Sequence, residues 1–429
     1  MKLSKRIARI MNMFYKEDHW TTMIFWNSLF VAFFLLPLGI NLPTPFFMLS
    51  IVFGVAMIFK TKRKFVLDKS VLLFPLYFIV MLFGLIYTEN LSSGLELVQR
   101  SLTLLLFPII FLFVKEDAAT VRRLFDFLLL GLLVSFFINI IRTGCDLIWH
   151  LNDINKSNEA FSFIEGIYRE WHHFFIGDSF SKSVNSNYIS IYILLVLSYY
   201  LKNKIESRLR FVVIVILFFY LFLLASVSAY LILWIMSLVL IFEIVDKEKK
   251  YIMLIVFVLG TILFLNNPKL TDIYSRIKYY NKIEGYEVNT SAKSKILAWD
   301  ASIKLIKDAP ILGYGVGDAN DVLISKYKEL EYRLNYQNRY NSHNQFLQTY
   351  LQTGIIGFGV LVSIFVVLAI RMKRSRNEFS VFLILLISLL FESMLVRFSG
   401  IVFFSIVIPL LLKKRSILSS RIIRNNLNK

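Results

Sequence analysis

Val71 to Ile86 is an unbroken apolar block without a charged side chain, and so is Phe211 to Ala225. Blocks of this kind recur along the chain. A helix needs roughly 17 to 25 apolar residues to cross the hydrocarbon of a bilayer. Soluble chains of this length set their apolar residues in periodic stripes and keep more polar surface. Here 57% of the 429 residues are hydrophobic, and 41 of them are Phe. The pattern predicts an all-α integral membrane protein.

Twelve spans are expected, over about 20–38, 45–60, 70–87, 100–114, 122–143, 187–201, 210–226, 228–245, 250–266, 345–370, 379–395 and 400–412. The run 210–245 is too long for one span and suits a hairpin near Ser226-Val227-Ser228. With twelve spans the short basic clusters fall on one side of the membrane. They are Lys60/Lys62/Arg63/Lys64, Lys115/Arg122/Arg123, Lys202/Lys204/Arg208/Arg210, Lys247/Lys249/Lys250, Arg371/Lys373/Arg374/Arg376 and Lys413/Lys414/Arg415. Cytoplasmic loops carry such an excess of Lys and Arg, so both termini are expected in the cytoplasm. The net charge of +19 is therefore read as topology and not as a nucleic-acid surface. The single Cys145 excludes an internal disulfide framework and a thiolate metal site. The basic start, Lys2 to Lys16, leads into a long apolar segment without a cleavage site, so it is read as a retained first span.

This divides the chain into three parts. Residues 1–266 hold spans one to nine, with an outer loop at about 144–186. Residues 267–344 form a large, partly helical outer loop. Residues 345–429 hold spans ten to twelve and a basic cytoplasmic tail. Long ordered loops are usually functional, so any chemistry is expected on the outer face.

One of only five histidines, His343, ends the large loop where a polar segment gives way to an apolar helix. An imidazole can take or give a proton near neutral pH. Asn344 beside it can orient a hydroxyl or carbonyl. In the same loop, Gly313, Gly315 and Gly317 alternate in Pro310-Ile311-Leu312-Gly313-Tyr314-Gly315-Val316-Gly317-Asp318. That spacing fits a plain turn better than a phosphate cradle, and no Walker lysine follows. Arg100 starts span four, after Tyr87-Thr88-Glu89-Asn90. Arg397 lies between spans eleven and twelve, near Glu392, with which an ion pair is expected. A charge at the edge of hydrocarbon is paired, snorkelling or functional. No catalytic metal or cofactor is expected. The loop carboxylates, among them Asp272, Glu284 and Glu287, form no ligand pattern with a histidine, and the adjacent His172 and His173 should point apart.

These residues together resemble the O-antigen ligase and polymerase family. Its C-terminal signature runs from an outer Arg-x-x-x-Trp through Pro-x-x-Gly-x-Gly-x-Gly to His-Asn-x-x-Leu and two later glycines. Here it reads Lys295 to Trp299, then Pro310 to Gly317, then His343-Asn344 with Leu347, Gly354 and Gly357. Tyr87 to Asn90, the Arg100 segment ending in Phe107-Pro108, and Phe391-Glu392-Ser393-Met394 with Arg397 and Gly400 also match. The resemblance implies a GT-C-like fold with about twelve transmembrane helices, in the bacterial inner membrane. It implies a metal-independent, inverting glycosyltransferase that works at the periplasmic face. The donor would be a glycan on undecaprenyl diphosphate, and the acceptor would be lipid A–core or another glycan. His343 would be the catalytic base. Lys295, Arg100, Arg397, Arg339 and Asn344 would bind substrate or diphosphate.

Two features depart from the family pattern. Lys295 stands where the family has Arg, which keeps the charge and loses the bidentate fork. The outer turn Ser226 to Tyr230 lacks the family's arginine, and no Arg occurs between 211 and 275. Arg100, Arg397 or Arg339 would take its place. Alternative readings are a repeat-unit polymerase, a protein O-oligosaccharyltransferase and, more weakly, a transporter. Transporters carry ionisable or broken sites at mid-membrane, and these spans are nearly free of mid-span charge.

Overall fold

The computed structural model describes residues 14–16, 19–61, 65–114, 118–157, 163–200, 208–243, 247–271, 291–309, 311–372 and 376–427. Pro310, the loop carboxylates Asp272, Glu284 and Glu287, and the inner cations Lys62, Arg63, Lys64, Lys115, Lys202, Lys204, Lys373 and Arg374 lie outside the described residues. Among the described residues the chain is all-helical, without a strand. The helices are α1 (Trp20–Leu35), α2 (Thr44–Thr61), α3 (Leu73–Phe83), α4 (Leu91–Ser101), α5 (Thr103–Phe111), α6 (Ala118–Ser157), α7 (Phe163–Phe175), α8 (Ser186–Tyr200), α9 (Arg208–Leu224), α10 (Val227–Glu243), α11 (Lys247–Leu265), α12 (Ser291–Asp308), α13 (Ala319–Glu329), α14 (Arg333–Gln337), α15 (Gln345–Met372), α16 (Arg376–Phe391) and α17 (Phe398–Leu427). Leu91–Phe111, Thr120–Ile154 and Gln345–Met372 are long and apolar enough to cross a membrane. Shorter apolar helices accompany them, among them Trp20–Leu35, Thr44–Lys60 and Phe398–Leu412. The protein is a multi-pass membrane protein.

Two compact units divide the chain. One comprises Met1–Phe33, Pro43–Phe127 and Asn289–Lys429, and the other Phe34–Leu42 and Leu128–Val288.

In the first unit α5 packs against α17 and α3, and α3 packs against α15. Aromatic rings add a contact between α3 and α17 and a stack within α5. Phe74 meets Phe404 at 5.3 Å and Phe107 meets Phe111 at 5.9 Å between ring centroids. At one end Arg371 bonds both oxygens of Asp68 at 3.1 and 3.2 Å, and also reaches the carbonyl of Leu412. Asp68 is 5% exposed and caps the turn before α3 through the amide of Ser70. This clamp ties α3, α15 and α17 at the end opposite His343.

A break divides α15 at Gly354, whose φ of 62° and ψ of −156° lie where essentially only glycine goes. The amide of Ile355 donates instead to Ile311 at 3.0 Å, and the amide of Tyr314 takes up the carbonyl of Leu351 at 2.8 Å. The loop 311–314 therefore replaces the helical bond that the break removes.

Helix α6, which lies in the second unit from Leu128 onward, runs 40 residues in all, well beyond the expected span 122–143 and into the expected loop 144–186. Apolar side chains such as Leu147 and Leu151 are buried along this extension, which keeps the segment helical. The run 210–245 forms two helices, parted at Ala225, whose φ is 46°. The hydroxyl of Ser226 then caps α10 at the amide of Ala229 and donates to Asn187 at 2.6 Å. Tyr220 lies buried on α9, its hydroxyl shared with Ser135 at 3.0 Å and with Asn139 at 2.9 Å. Arg142 of α6 holds the carbonyl of Phe180 at 2.9 Å.

Candidate functional site

The spacing Lys295 to Trp299 is four residues, so on α12 both side chains lie on one face. That face meets His343 and the end of α16. The indole N–H of Trp299 donates to the carbonyl of His343 at 3.3 Å, and its ring packs on Phe391 at 5.6 Å. The ammonium of Lys295 donates to the carbonyl of Phe391 at 2.9 Å and lies 3.4 Å from Oε1 of Glu392. The other carboxylate oxygen, Oε2, lies 3.4 Å from Nδ1 of His343. Glu392 thus stands between Lys295 and His343. The three side chains are 16, 14 and 18% exposed, respectively. Helix α16 ends at Phe391, short of the expected span 379–395, so Glu392 sits beyond the helix and not inside it.

Burial, the largest single influence on Glu392, pushes its pKa up. The hydrogen bond with His343 and the charge of Lys295 together outweigh burial and hold the carboxyl below its ordinary range. Glu392 is therefore a carboxylate between two nitrogen groups.

The backbone around His343 is over-determined. His343 has a φ of 47°, which non-glycine residues rarely adopt. Its amide donates to the side chain of Asn341 at 3.0 Å. Asn344 caps α15, accepting from the amides of Phe346 at 2.9 Å and Leu347 at 3.2 Å. Gln345 then accepts from the amide of Leu395 at 2.7 Å, which fixes the turn after Glu392 against α15. Gln348 accepts from Ser342 and donates to Asn320, and Thr349 meets the hydroxyl of the buried Tyr77 at 2.9 Å. Ser342, Gln345, Gln348, Thr349 and Tyr77 are fully buried and partnered. A satisfied network of this kind fixes one geometry, which explains why polar residues run on past His343 into an apolar helix.

The alternating glycines serve close packing. A Cβ on Gly315 would lie 2.5 Å from the hydroxyl of Thr88, and one on Gly317 would lie 2.1 Å from the carbonyl of Asn90. Asp318 accepts from the amides of Glu89 and Asn90, each at 2.7 Å, and Tyr87 donates to the carbonyl of Leu312 at 2.6 Å. The segment Tyr87 to Asn90 and the glycine loop are thus two halves of one joint.

The remaining cations are more exposed. Arg100 is paired along α4 with Glu96. Helix α4 packs against the turn Met394–Val396, which follows Glu392. Arg397 ends that turn; it is exposed and has no ion-pair partner among the described residues. Its expected partner, Glu392, instead faces Lys295 and His343. Arg339 pairs with Asp321 at 3.2 Å. The rings of His172 and His173 do not point apart: they come within 4.0 Å at the end of α7, and no third ligand joins them among the described residues.

Sequence reasoning passed over Glu392 as a member of the site, and passed over Tyr340, whose ring packs edge-on to His343 at 5.2 Å. The signal for Glu392 was present as a lone carboxylate at a helix end, beside polar Ser393.

A family model described as O-antigen ligase matches residues 211–362. Over residues 211–362 the chain is thus similar to the O-antigen ligase family. The match takes in Lys295, Arg339, His343 and Asn344, begins after Arg100 and stops before Glu392. An uncharacterised protein of Haemophilus influenzae is 24% identical over 132 residues, which cover 28% of this chain and 32% of that protein. The chain thus spans about a third of the length of the curated relative it matches.

Proposed function

We propose that this protein transfers a glycan from a polyprenyl diphosphate to a hydroxyl acceptor, with lipid A–core as the acceptor. The observation that carries the reading is the row Lys295, Glu392, His343. Glu392 accepts a hydrogen bond from the Nδ1–H of His343, which keeps the proton on Nδ1 and leaves Nε2 free to accept one. The acceptor hydroxyl gives its proton to Nε2 as its oxygen bonds to the anomeric carbon. The bond from that carbon to the diphosphate breaks, and the polyprenyl diphosphate leaves with the electron pair. Attack from the face opposite the leaving group inverts the anomeric centre. Glu392 stabilises the imidazolium that forms, as a carboxylate orients a catalytic histidine in other enzymes.

The leaving diphosphate is a concentrated negative charge and needs cations as it departs. Arg397, exposed five residues after Glu392, and Arg100, on the helix packed against that turn, are suited to this. Lys295 supports the row from behind, since its ammonium already has two acceptors. Asn344 acts by capping α15 and so fixes His343. In this reading the chain crosses the inner membrane twelve times with both termini in the cytoplasm, and the site faces the periplasm.

Lipopolysaccharide from a deletion strain tests the assignment. The expected result is full-length glycan left on the lipid carrier. Single repeats on lipid A would instead mark a polymerase.

A further inference from the structure

We propose that a cleft between α13 and the segment 336–339 is a glycan-binding subsite, and that Arg339 belongs to it and not to a diphosphate site. The inference rests on the glycosyl-transfer reading. The cleft has a volume of about 640 Å³ and is lined by Asp321, Ser325, Lys328, Glu329, Tyr336 and Arg339, with Ile324 at its floor. It is an open surface groove, the form that suits one segment of a longer glycan better than an enclosed small molecule. Tyr336 is 41% exposed, so an aromatic face is open to a ligand. A sugar ring has an apolar C–H face that packs on such a ring, and hydroxyls that need donors and acceptors at its edge.

The charged groups of the cleft supply that edge. Asp321 is held on both oxygens, by the side-chain amide of Asn90 at 2.7 Å and by Arg339 at 3.2 Å. Glu329 accepts from Lys326 at 2.6 Å. The lining thus sets the carboxylates of Asp321 and Glu329 against the cations of Lys328 and Arg339, which leaves it little net charge. A diphosphate would meet Lys328, but also the carboxylates of Asp321 and Glu329 and a guanidinium already paired. A polyol meets donors and acceptors in fixed places. Tyr340, which follows Arg339 in sequence, packs on His343, so the segment that lines the cleft also contacts the catalytic residue.

The test uses the full-length protein in detergent. The probe is the free oligosaccharide released by mild acid from the host strain's own lipid-linked glycan. Binding is read by saturation-transfer NMR and titration calorimetry. The parent should bind, Tyr336→Ala should bind about three- to tenfold more weakly, and Tyr336→Trp, which keeps a ring, should bind as the parent does. Arg339→Gln should also weaken binding, and inorganic pyrophosphate should not compete. Equal binding by Tyr336→Ala, or displacement of the oligosaccharide by pyrophosphate, overturns the subsite. His343→Ala should bind the oligosaccharide and fail to transfer. If it transferred normally, the catalytic reading would fall while the cleft stood.

Discussion

Gly313 and Gly354 approach so closely that a Cβ on Gly313 would lie 2.6 Å from the amide nitrogen of Gly354. The converse contact is equally close, and a Cβ on Gly354 would also lie 1.9 Å from the carbonyl oxygen of Ile311. Two glycines 41 positions apart in sequence thus make one joint, which seats the glycine loop in the break of α15. Gly354→Ala adds a clash to a backbone conformation that alone costs of order 1 to 3 kcal/mol. We expect it to lower the melting temperature in detergent sharply. Gly359→Ala, further along the same helix with nothing within 4 Å, should be neutral or slightly stabilising.

Asp68 and Arg371 clamp the other end of the same helices. Asp68 is buried and Arg371 is 31% exposed, so removing Asp68 costs the bidentate bonds and leaves Arg371 partly solvated, at about 1 to 3 kcal/mol. Asp68→Ala should therefore destabilise the protein, as read by thermal unfolding in detergent, while leaving the KM for the lipid-linked donor close to that of the parent. A large rise in KM would mean that the clamp reaches the site.

Much of this was legible in the sequence, for physical reasons. Apolar blocks announce helices because the bilayer demands length and apolarity together, and the break at Ala225 follows from a run too long for one span. His343 stood out because it is polar, rare and placed at a helix start. Other features were hidden because they depend on contacts distant in sequence. Nothing near Glu392 says that its partners lie 49 and 97 residues earlier. The spacing of the glycines showed a need for close approach without naming what approaches. The continuation of α6 to Ser157 was hidden because polar residues after 143 read as loop, while Leu147 and Leu151 keep it helical by burial.

Lys295 offers a test of how the row works. Lys295→Arg should keep transfer, and Lys295→Ala should slow it. If Lys295 acts through Glu392, the losses of Lys295→Ala and Glu392→Gln will not add in the double variant, because the two groups share one interaction. Additive losses in transfer kinetics would mean that Lys295 meets the donor directly.

The depressed pKa of Glu392 sets a direction for acid behaviour. A carboxyl held lower in the folded state stabilises the fold fully above its ordinary pKa of about 4.3, and that stability is lost as pH falls through the folded value. Melting temperatures of the parent should fall across that acid range. Those of Glu392→Gln should fall less steeply. Parallel curves for the two proteins would remove Glu392 from the linkage.

The most direct measurement of the central claim is transfer by purified His343→Ala with one lipid-linked donor and one hydroxyl acceptor, beside the parent. Loss of a positioned general base should slow the reaction by about 10² to 10⁴, with helical content and thermal stability preserved. Transfer at near the parental rate would contradict the account and leave His343 as a residue that only shapes the start of α15.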